Sequence, residues 1–319
     1  MQWDDRIGRR IKLRDLHILL AVVQAGSMSR AADRLAVSHP VVSKTIAGLE
    51  DALDVRLLDR TPQGTEPTAY GRALLGCGTA VFDELRRGVQ EIAFLSDPTV
   101  GELRLGSAAP YVEGLVPAVI ARLAERYPRI KFQVTGTDAV TLCAMLRERK
   151  LDFVVGRVPA AVFGEDLMSE FLFDDALHVV AGADSRWARR RKIDLAELCA
   201  EPWLMPESDN IAMVLITEAF RSAGLTPPAA QVVSNSIPLR LRLIETGRFL
   251  GIMPESTLRF AAGRMQLKIL PVRLRMSEPP AVAIFLKHRT PNPIVRLFVD
   301  ELRAFVTPLM KGRPAGARR

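Results

Sequence analysis

A chain of 319 residues that is 48% hydrophobic, 25% charged and 6% aromatic holds material for two or three domains with real cores. Its 21 glycines and 21 prolines match average usage and exclude collagen-like or low-complexity chains, and no apolar run reaches the ~18–20 residues of a membrane helix. The net charge of +8 lies wholly in residues 100–319, because residues 1–99 carry 13 basic and 13 acidic side chains. Bulk charge is therefore weak support for nucleic-acid binding by the N-terminal part. The opening MQWDDRIGRRIK mixes charges of both signs with no apolar segment, which predicts no secretory signal and a cytoplasmic location. Cys77, Cys143 and Cys199 are odd in number and widely spaced, so neither a disulfide framework nor a zinc site is expected.

Residues 13–96 read as helices. Leu16, Leu19, Leu20 and Val23 form one helical face that ends at Gly26. Ser27 or Ser29 can cap a short helix carrying Ala31, Ala32 and Leu35. Ser38 caps a third, with Pro40 in its first turn and Val42, Ile46, Leu49 and Leu53 as its buried stripe. The turn-rich RTPQGTEPT (60–68) follows. A long helix over 69–96 places Leu74, Val81, Leu85, Ile92 and Leu95 on a 3–4 spacing that skips Gly78 and Gly88. This is either a dimerising seam with close helix approach at the glycines or an amphipathic helix lying on its own domain. DPTVGE (97–102) reads as a linker.

Beyond Gly101 the period alternates between 2 and 3.6. Leu103–Leu105, Ile130–Val134 and Phe153–Val155 read as strands separated by helices, a β-α-β-α-β half-domain. A second unit has strands at Leu177–Val180, Trp203–Met205, Val232–Val233 and Leu250–Ile252, with helices near 194–199, 211–223 and 238–246. The strand Ala281–Leu286 and helix 293–307 return to the first half, through crossing segments at about 158–176 and 270–280.

A short helix, a tight turn and a helix with a serine at its start is the helix-turn-helix order, which projects the start of its last helix into a major groove. An ordinary helical hairpin fits the patterning too. The stretch resembles the winged helix-turn-helix of LysR-type transcriptional regulators. The family pattern is met by Ala31, Ala32, Leu35, Ser38, Pro40, Val42, Ser43, Ile46, Leu49, Glu50, Leu53, Leu57, Arg60, Gly64, Thr68 and Gly71. His39 replaces the usual glutamine, Val41 an alanine or proline, Asp54 a glycine and Leu58 a phenylalanine. The segments 135–157, 201–206 and 234–254 look like the family's effector-domain landmarks, closest to members that regulate aromatic-acid breakdown and sugar uptake.

The resemblance implies an α/β protein with an N-terminal winged helix-turn-helix (1–68), a linker and dimerisation helix (69–98) and an effector-binding domain (99–319). That last domain would be two-lobed and similar to periplasmic binding proteins, with lobe I at about 101–170 and 278–310 and lobe II at about 171–277. The implied partners are double-stranded DNA with an interrupted inverted repeat, a small-molecule effector, a homodimer assembling to a homotetramer, and RNA polymerase. No membrane partner and no cofactor is expected. Ser38, His39, Pro40, Val41, Ser43 and Lys44 are candidates for base-edge and nearby phosphate contacts, with Arg60 for phosphate or minor groove. Two rival readings remain, a solute-binding protein and an α/β enzyme with a helical extension. Four scattered histidines (His17, His39, His178, His288) form no metal-ligand spacing, and P-loop, Gly-x-Ser-x-Gly and G-x-G-x-x-G patterns are absent, so no catalytic activity is expected.

Ligands of open α/β sheets lie beyond the carboxyl ends of the strands. Those ends point to Ser107 and the loop through Pro110, to Thr137 and to Arg157. In the second lobe they point to Met205, Pro206, Asn235, Ser236 and Ile237. Thr137 and Arg157 resemble ligand-contacting residues of the aromatic-acid-responsive members. A guanidinium beside hydroxyl donors suits a carboxylate, hence a small organic acid. Thr137 or Asp138 can equally cap a helix, and Arg157 can pair with Glu165 or Asp166. Cys143 reads as a small core residue or a thiol sensor, and RWARRRK (186–192) as a solvated basic face or a contact to bent DNA.

Overall fold

The first three helices form where the apolar periodicity places them, and each ends for a local reason. In the computed structural model, α1 (Leu13–Ala25) stops at Gly26, whose left-handed φ of 65° closes the last turn. α2 (Met28–Arg34) begins under Ser27, whose hydroxyl accepts from the Arg30 amide at 3.4 Å. α3 (His39–Leu53) starts with Pro40 in its first turn and ends at Asp54, also left-handed with φ 56°. Aspartate tolerates that conformation better than most residues, which accounts for its standing where glycine is usual. The structure describes residues 10–61, 64–158, 160–208, 210–261, 265–277 and 279–311. It divides into two units, Met1–Val89 and Gln90–Arg319.

In the first unit, Ile18, Leu19, Val22, Ala31, Ala32, Val42, Ile46, Leu49 and Leu57 make one core. The stretch 60–68, which reads as a turn, instead holds the end of β1 (Leu58–Thr61) and all of β2 (Gly64–Pro67), paired antiparallel. Glu50 near the end of α3 fixes the entry to this wing by accepting from the backbone amides of Leu57 at 2.7 Å and Leu58 at 3.3 Å. Hydrogen bonds to a charged acceptor contribute about 1.5–3 kcal/mol. Glu50→Ala should therefore lower the protection of the α3 amides by about 2 kcal/mol in native-state hydrogen exchange on the full chain. Unchanged protection would mean the carboxylate is dispensable.

The long helix α4 (Ala69–Ser96) has the predicted extent. Thr68 precedes it, its hydroxyl donating to the Arg56 carbonyl and accepting from the Gly71 amide. Gly71 lies so close to the chain that a Cβ there would sit 2.0 Å from the Leu57 carbonyl oxygen. The seam divides. Leu74 and Gly78 pack on the chain's own first unit, Gly78 beside Leu16 and Leu20, whereas Val81, Leu85, Ile92 and Leu95 are exposed.

The second unit holds two five-stranded sheets. Lobe I contains β3 (Val100–Ser107), β4 (Arg129–Gly136), β5 (Phe153–Gly156), β6 (Leu167–Phe173) and β12 (Ala281–Leu286), ordered β4-β3-β5-β12-β6. The first three are parallel, and β12 is antiparallel to both its neighbours. Helices α5 (Ala109–Val112), α6 (Leu115–Arg126), α7 (Ala139–Arg147), α8 (Ala160–Phe163) and α12 (Pro293–Lys311) complete the lobe. Phe153 and Phe298, both fully buried, centre its core.

Lobe II contains β7 (Leu177–Gly182), β8 (Trp203–Met205), β9 (Ala230–Val233), β10 (Leu250–Pro254) and β11 (Leu267–Ile269), ordered β11-β7-β10-β8-β9. Its helices are α9 (Ile211–Ser222) and α10 (Ile237–Glu245), and a 3-10 turn at Leu195–Leu198 precedes β8. The buried Trp203 donates its indole N–H to the Leu198 carbonyl at 2.8 Å. The segment 158–176 is not one crossing connection: α8 and β6 occupy most of it, and β6 pairs with β12 in lobe I. The crossing narrows to Asp174–Ala176. Sequence reading also misses β11 and α11 (Glu255–Ala261), which follows directly on β10.

Candidate nucleic-acid interface and effector cleft

The outer face of α3 is set by its stripe. Val42, Ile46 and Leu49 are buried, so Ser38, His39, Pro40, Val41 and Lys44 are exposed and Ser43 is half-buried. Ser38 stands at the cap position with extended backbone, but its hydroxyl makes no capping bond. The capping role read from the sequence is thus not filled, and the hydroxyl is not engaged by the helix. Arg60 lies on β1 with its backbone opposite Thr65; its side chain lies outside the described residues.

Two of the five cations in the basic run 186–192 are paired locally. Arg186 pairs with Glu201, Arg190 with Glu197, and both guanidinium groups lie over the Trp187 ring. Lys192 remains exposed.

In lobe I, β3, β4 and β5 run parallel and end on one rim, with Ser107 opposite both Gly136 and Val155. Ser107 and Arg157 are buried there. Thr137 is half-buried and bonds Asp138, which caps α7 by accepting from the Thr141 amide at 2.9 Å. The capping function therefore belongs to Asp138. Pro110 is half-buried at the start of α5, and its carbonyl accepts from Thr257 on α11 at 3.5 Å.

Arg157 pairs with neither Glu165 nor Asp166. Asp166 is held by Arg147, and the partner of Arg157 is Asp175 in the crossing segment, at 3.5 Å. Asp175 also accepts from the Ser256 amide and hydroxyl, each at 2.8 Å, which ties the crossing to α11. Burial pushes the Asp175 carboxyl above its usual range despite the nearby guanidinium. Nε of Arg157 has no hydrogen-bond partner among the described residues, Nη2 faces Asp175 at the ion-pair distance of 3.5 Å, and the hydroxyl of buried Tyr111 interacts with the same carboxylate. Tyr111 lies in the electrostatic reach of Asp175 and Arg157, and burial raises its pKa. A buried donor without an acceptor costs about 1–3 kcal/mol, more for a charged group, so Arg157 Nε suits an added acceptor.

Lobe II contributes Met205, Pro206 and Ile237, all buried. Asn235 is committed to the loops, accepting from the Glu207 amide and from Asn210 and donating to Glu207. Exposed Ser236 caps α10 by accepting from the Leu239 amide at 3.5 Å. Tyr111, Asp175, Ser256 and Arg240 are absent from the sequence-derived site. Arg240 carried a legible signal: with Ile237, Leu241 and Ile244 it occupies the buried stripe of α10, where a cation is unexpected. Its Nη2 donates to the Ile252 carbonyl at 2.7 Å and its Nε has no partner.

Cys143 is fully buried in an apolar cluster with Leu142 and Leu146, and burial pushes its thiol pKa up, away from the reactive thiolate. Among the described residues no group of three or more metal-ligating side chains exists, and no helix is long and apolar enough to cross a membrane.

Residues 13–72 match the model of the lysR-family bacterial regulatory helix-turn-helix, and residues 96–307 match the LysR substrate binding domain. The transcriptional regulator GbpR of Azospirillum brasilense is 26% identical over 297 residues, covering 92% of this chain and 86% of its own. PcaQ of Agrobacterium fabrum, also a transcriptional regulator, is 27% identical over 311 residues, covering 97% of this chain and all of its own. Among solved structures, full-length CbnR in complex with its target DNA aligns with a TM-score of 0.61 at 24% identity, covering 92% and 99% of the two chains. OxyR of Pseudomonas aeruginosa aligns at 0.66 and 22%, covering 92% and 95%. Both curated relatives are named as transcriptional regulators, which favours that reading over the enzyme and solute-binding ones. Two family models, covering the helix-turn-helix and both lobes, establish that the chain belongs to the LysR family of DNA-binding transcriptional regulators with an effector-binding domain.

Proposed function

We propose that the protein is a cytoplasmic regulator that reads an interrupted inverted repeat and is switched by a small organic acid. Residues 1–68 bind DNA, 69–98 dimerise and 99–319 bind the effector. In a dimer, two copies of α3 enter successive major grooves about 34 Å apart. His39, Ser43 and Lys44 contact base edges and nearby phosphates beside Ser38, Pro40 and Val41, and Arg60 reaches the backbone or minor groove. The dimer joins a second to form a tetramer, which contacts RNA polymerase.

The observation that carries the acid reading is Arg157: a buried guanidinium whose Nε has no hydrogen-bond partner, near Tyr111 and directly after the carboxyl end of β5. A planar carboxylate matches that donor set. Thr137 and Pro110 line the lobe I side, and Met205, Pro206 and Ile237 the lobe II side, on loops shaped by Asn235 and Ser236.

A thermal-shift panel of aromatic and aliphatic acids, sugars and amino acids tests it. Binding at a hundred times Kd adds about 2.7 kcal/mol of stability. An acid should stabilise the protein, and Arg157→Ala should weaken its binding about thirtyfold, the equivalent of ~2 kcal/mol. A neutral sugar that stabilises both proteins equally, with no acid doing so, would overturn the reading.

A further inference from the structure

Each lobe buries an arginine more than nine-tenths, Arg157 in lobe I and Arg240 in lobe II. Arg157 has a carboxylate neighbour in Asp175, whereas Arg240 has only the Ile252 carbonyl and an unbonded Nε. Burial alone acts on its guanidinium, lowering the pKa to about 10 with no acidic group opposing the shift. A buried cation without a counterion is a costly feature for a domain to keep unless something outside the chain neutralises it.

Both arginines lead to the boundary between the lobes. Ile252, the acceptor of Arg240, lies four residues before Ser256, which grips Asp175, the neighbour of Arg157. Along a second route, Ala109 beyond Ser107 packs against the lobe II cluster that contains Ile237 and Leu241, the neighbours of Arg240 on α10. Each guanidinium is fixed to its own lobe, Arg157 by Asp175 in the crossing segment and Arg240 by the Ile252 carbonyl on β10, so each offers its own seat for an anion.

We infer that the effector carries two anionic groups, one received by Arg157 and the other by Arg240, so that a dianion bridges the lobes. Arg240 then acts as a specificity determinant that separates diacids from monoacids. The inference rests on the organic-acid reading of the Arg157 site and narrows its ligand class.

Calorimetric titration of the full-length protein with four- to eight-carbon aliphatic diacids and the benzenedicarboxylates, each beside its half-amide, tests it. The half-amide keeps the shape and loses one charge. At least one diacid should bind about tenfold or more tighter than its half-amide. Arg240→Met should bring that diacid down to the half-amide's affinity and leave the half-amide unchanged, while Arg157→Met should weaken both. If diacid and half-amide bind the unaltered protein equally, the two-anion inference falls and the carboxylate site at Arg157 stands. If no diacid and no half-amide binds, both fall. Should Arg240→Met fail to fold, the comparison of ligands on the unaltered protein decides alone.

Discussion

Glutamate at both Leu85 and Ile92 is expected to make the protein monomeric and to lower its affinity for an inverted-repeat operator about a hundredfold or more. Val81, Leu85, Ile92 and Leu95 recur at the 3.5-residue spacing of a coiled-coil seam, and Leu85, Ile92 and Leu95 are 48%, 65% and 76% exposed. Large aliphatic side chains repeated along one exposed helix face mark a surface that a partner covers. The upstream positions Leu74 and Gly78 do not belong to that surface, since they pack on the chain's own first unit. Two glutamates in the seam place like charges in a desolvated interface. A monomer retains one recognition helix, and losing the tethered second half-site removes the large gain of bivalent binding. Light scattering after gel filtration, with fluorescence anisotropy on operator DNA, reads both effects. A double variant that stays dimeric and keeps its affinity would show that the stripe is not the interface.

Alanine at Lys44 should weaken operator binding about tenfold to a hundredfold, and alanine at Lys192 should change it little. Lys44 stands exposed in the second turn of α3, on the face opposite Val42, Ile46 and Leu49. A contact to a base edge there is equivalent to ~1–3 kcal/mol and relaxes preference at one base position. A contact to phosphate instead weakens binding to all sequences alike and reduces the salt slope by about one. Lys192 is exposed too, but it lies in the effector-binding domain, in a run where Arg186 and Arg190 pair with Glu201 and Glu197. Effector binding should be intact in both variants, because Lys44 lies outside the effector-binding residues 96–307 and Lys192 outside the Arg157 cluster. Equal losses on operator DNA would remove α3 from its assigned role.

The parts of the fold legible in the sequence are those where burial has a period. The three helices around Ile18, Ala31 and Ile46, the extent of α4 and the strand Ala281–Leu286 all follow from such patterns. β6 escaped because LMSEFLF at a sheet edge leaves Met168 and Phe171 exposed, which breaks the alternation. The wing strands escaped because Pro62, Gly64 and Pro67 read only as turn formers. α11 escaped because it starts without a capping residue, immediately after Pro254. At the site, Arg157 was legible from the strand-end rule. Its partner Asp175 was not, because the crossing segment is fixed by Ser256, eighty-one residues away. Arg240 was missed although a charged residue in the stripe Ile237, Leu241, Ile244 marks it. Its meaning depends on the absence of a counterion, which only the packed lobe reveals.

Nuclease protection of the DNA immediately upstream of the protein's own coding sequence, with and without a bound acid, bears most directly on the claim that α3 reads DNA under control of the cleft. Two protected half-sites related by a dyad and one helical turn apart are predicted, lost with Lys44→Ala. The acid should alter the protected pattern in the unaltered protein and leave it unchanged in Arg157→Ala. Protection that survives Lys44→Ala undiminished, or a pattern that responds to the acid equally in both proteins, would contradict it.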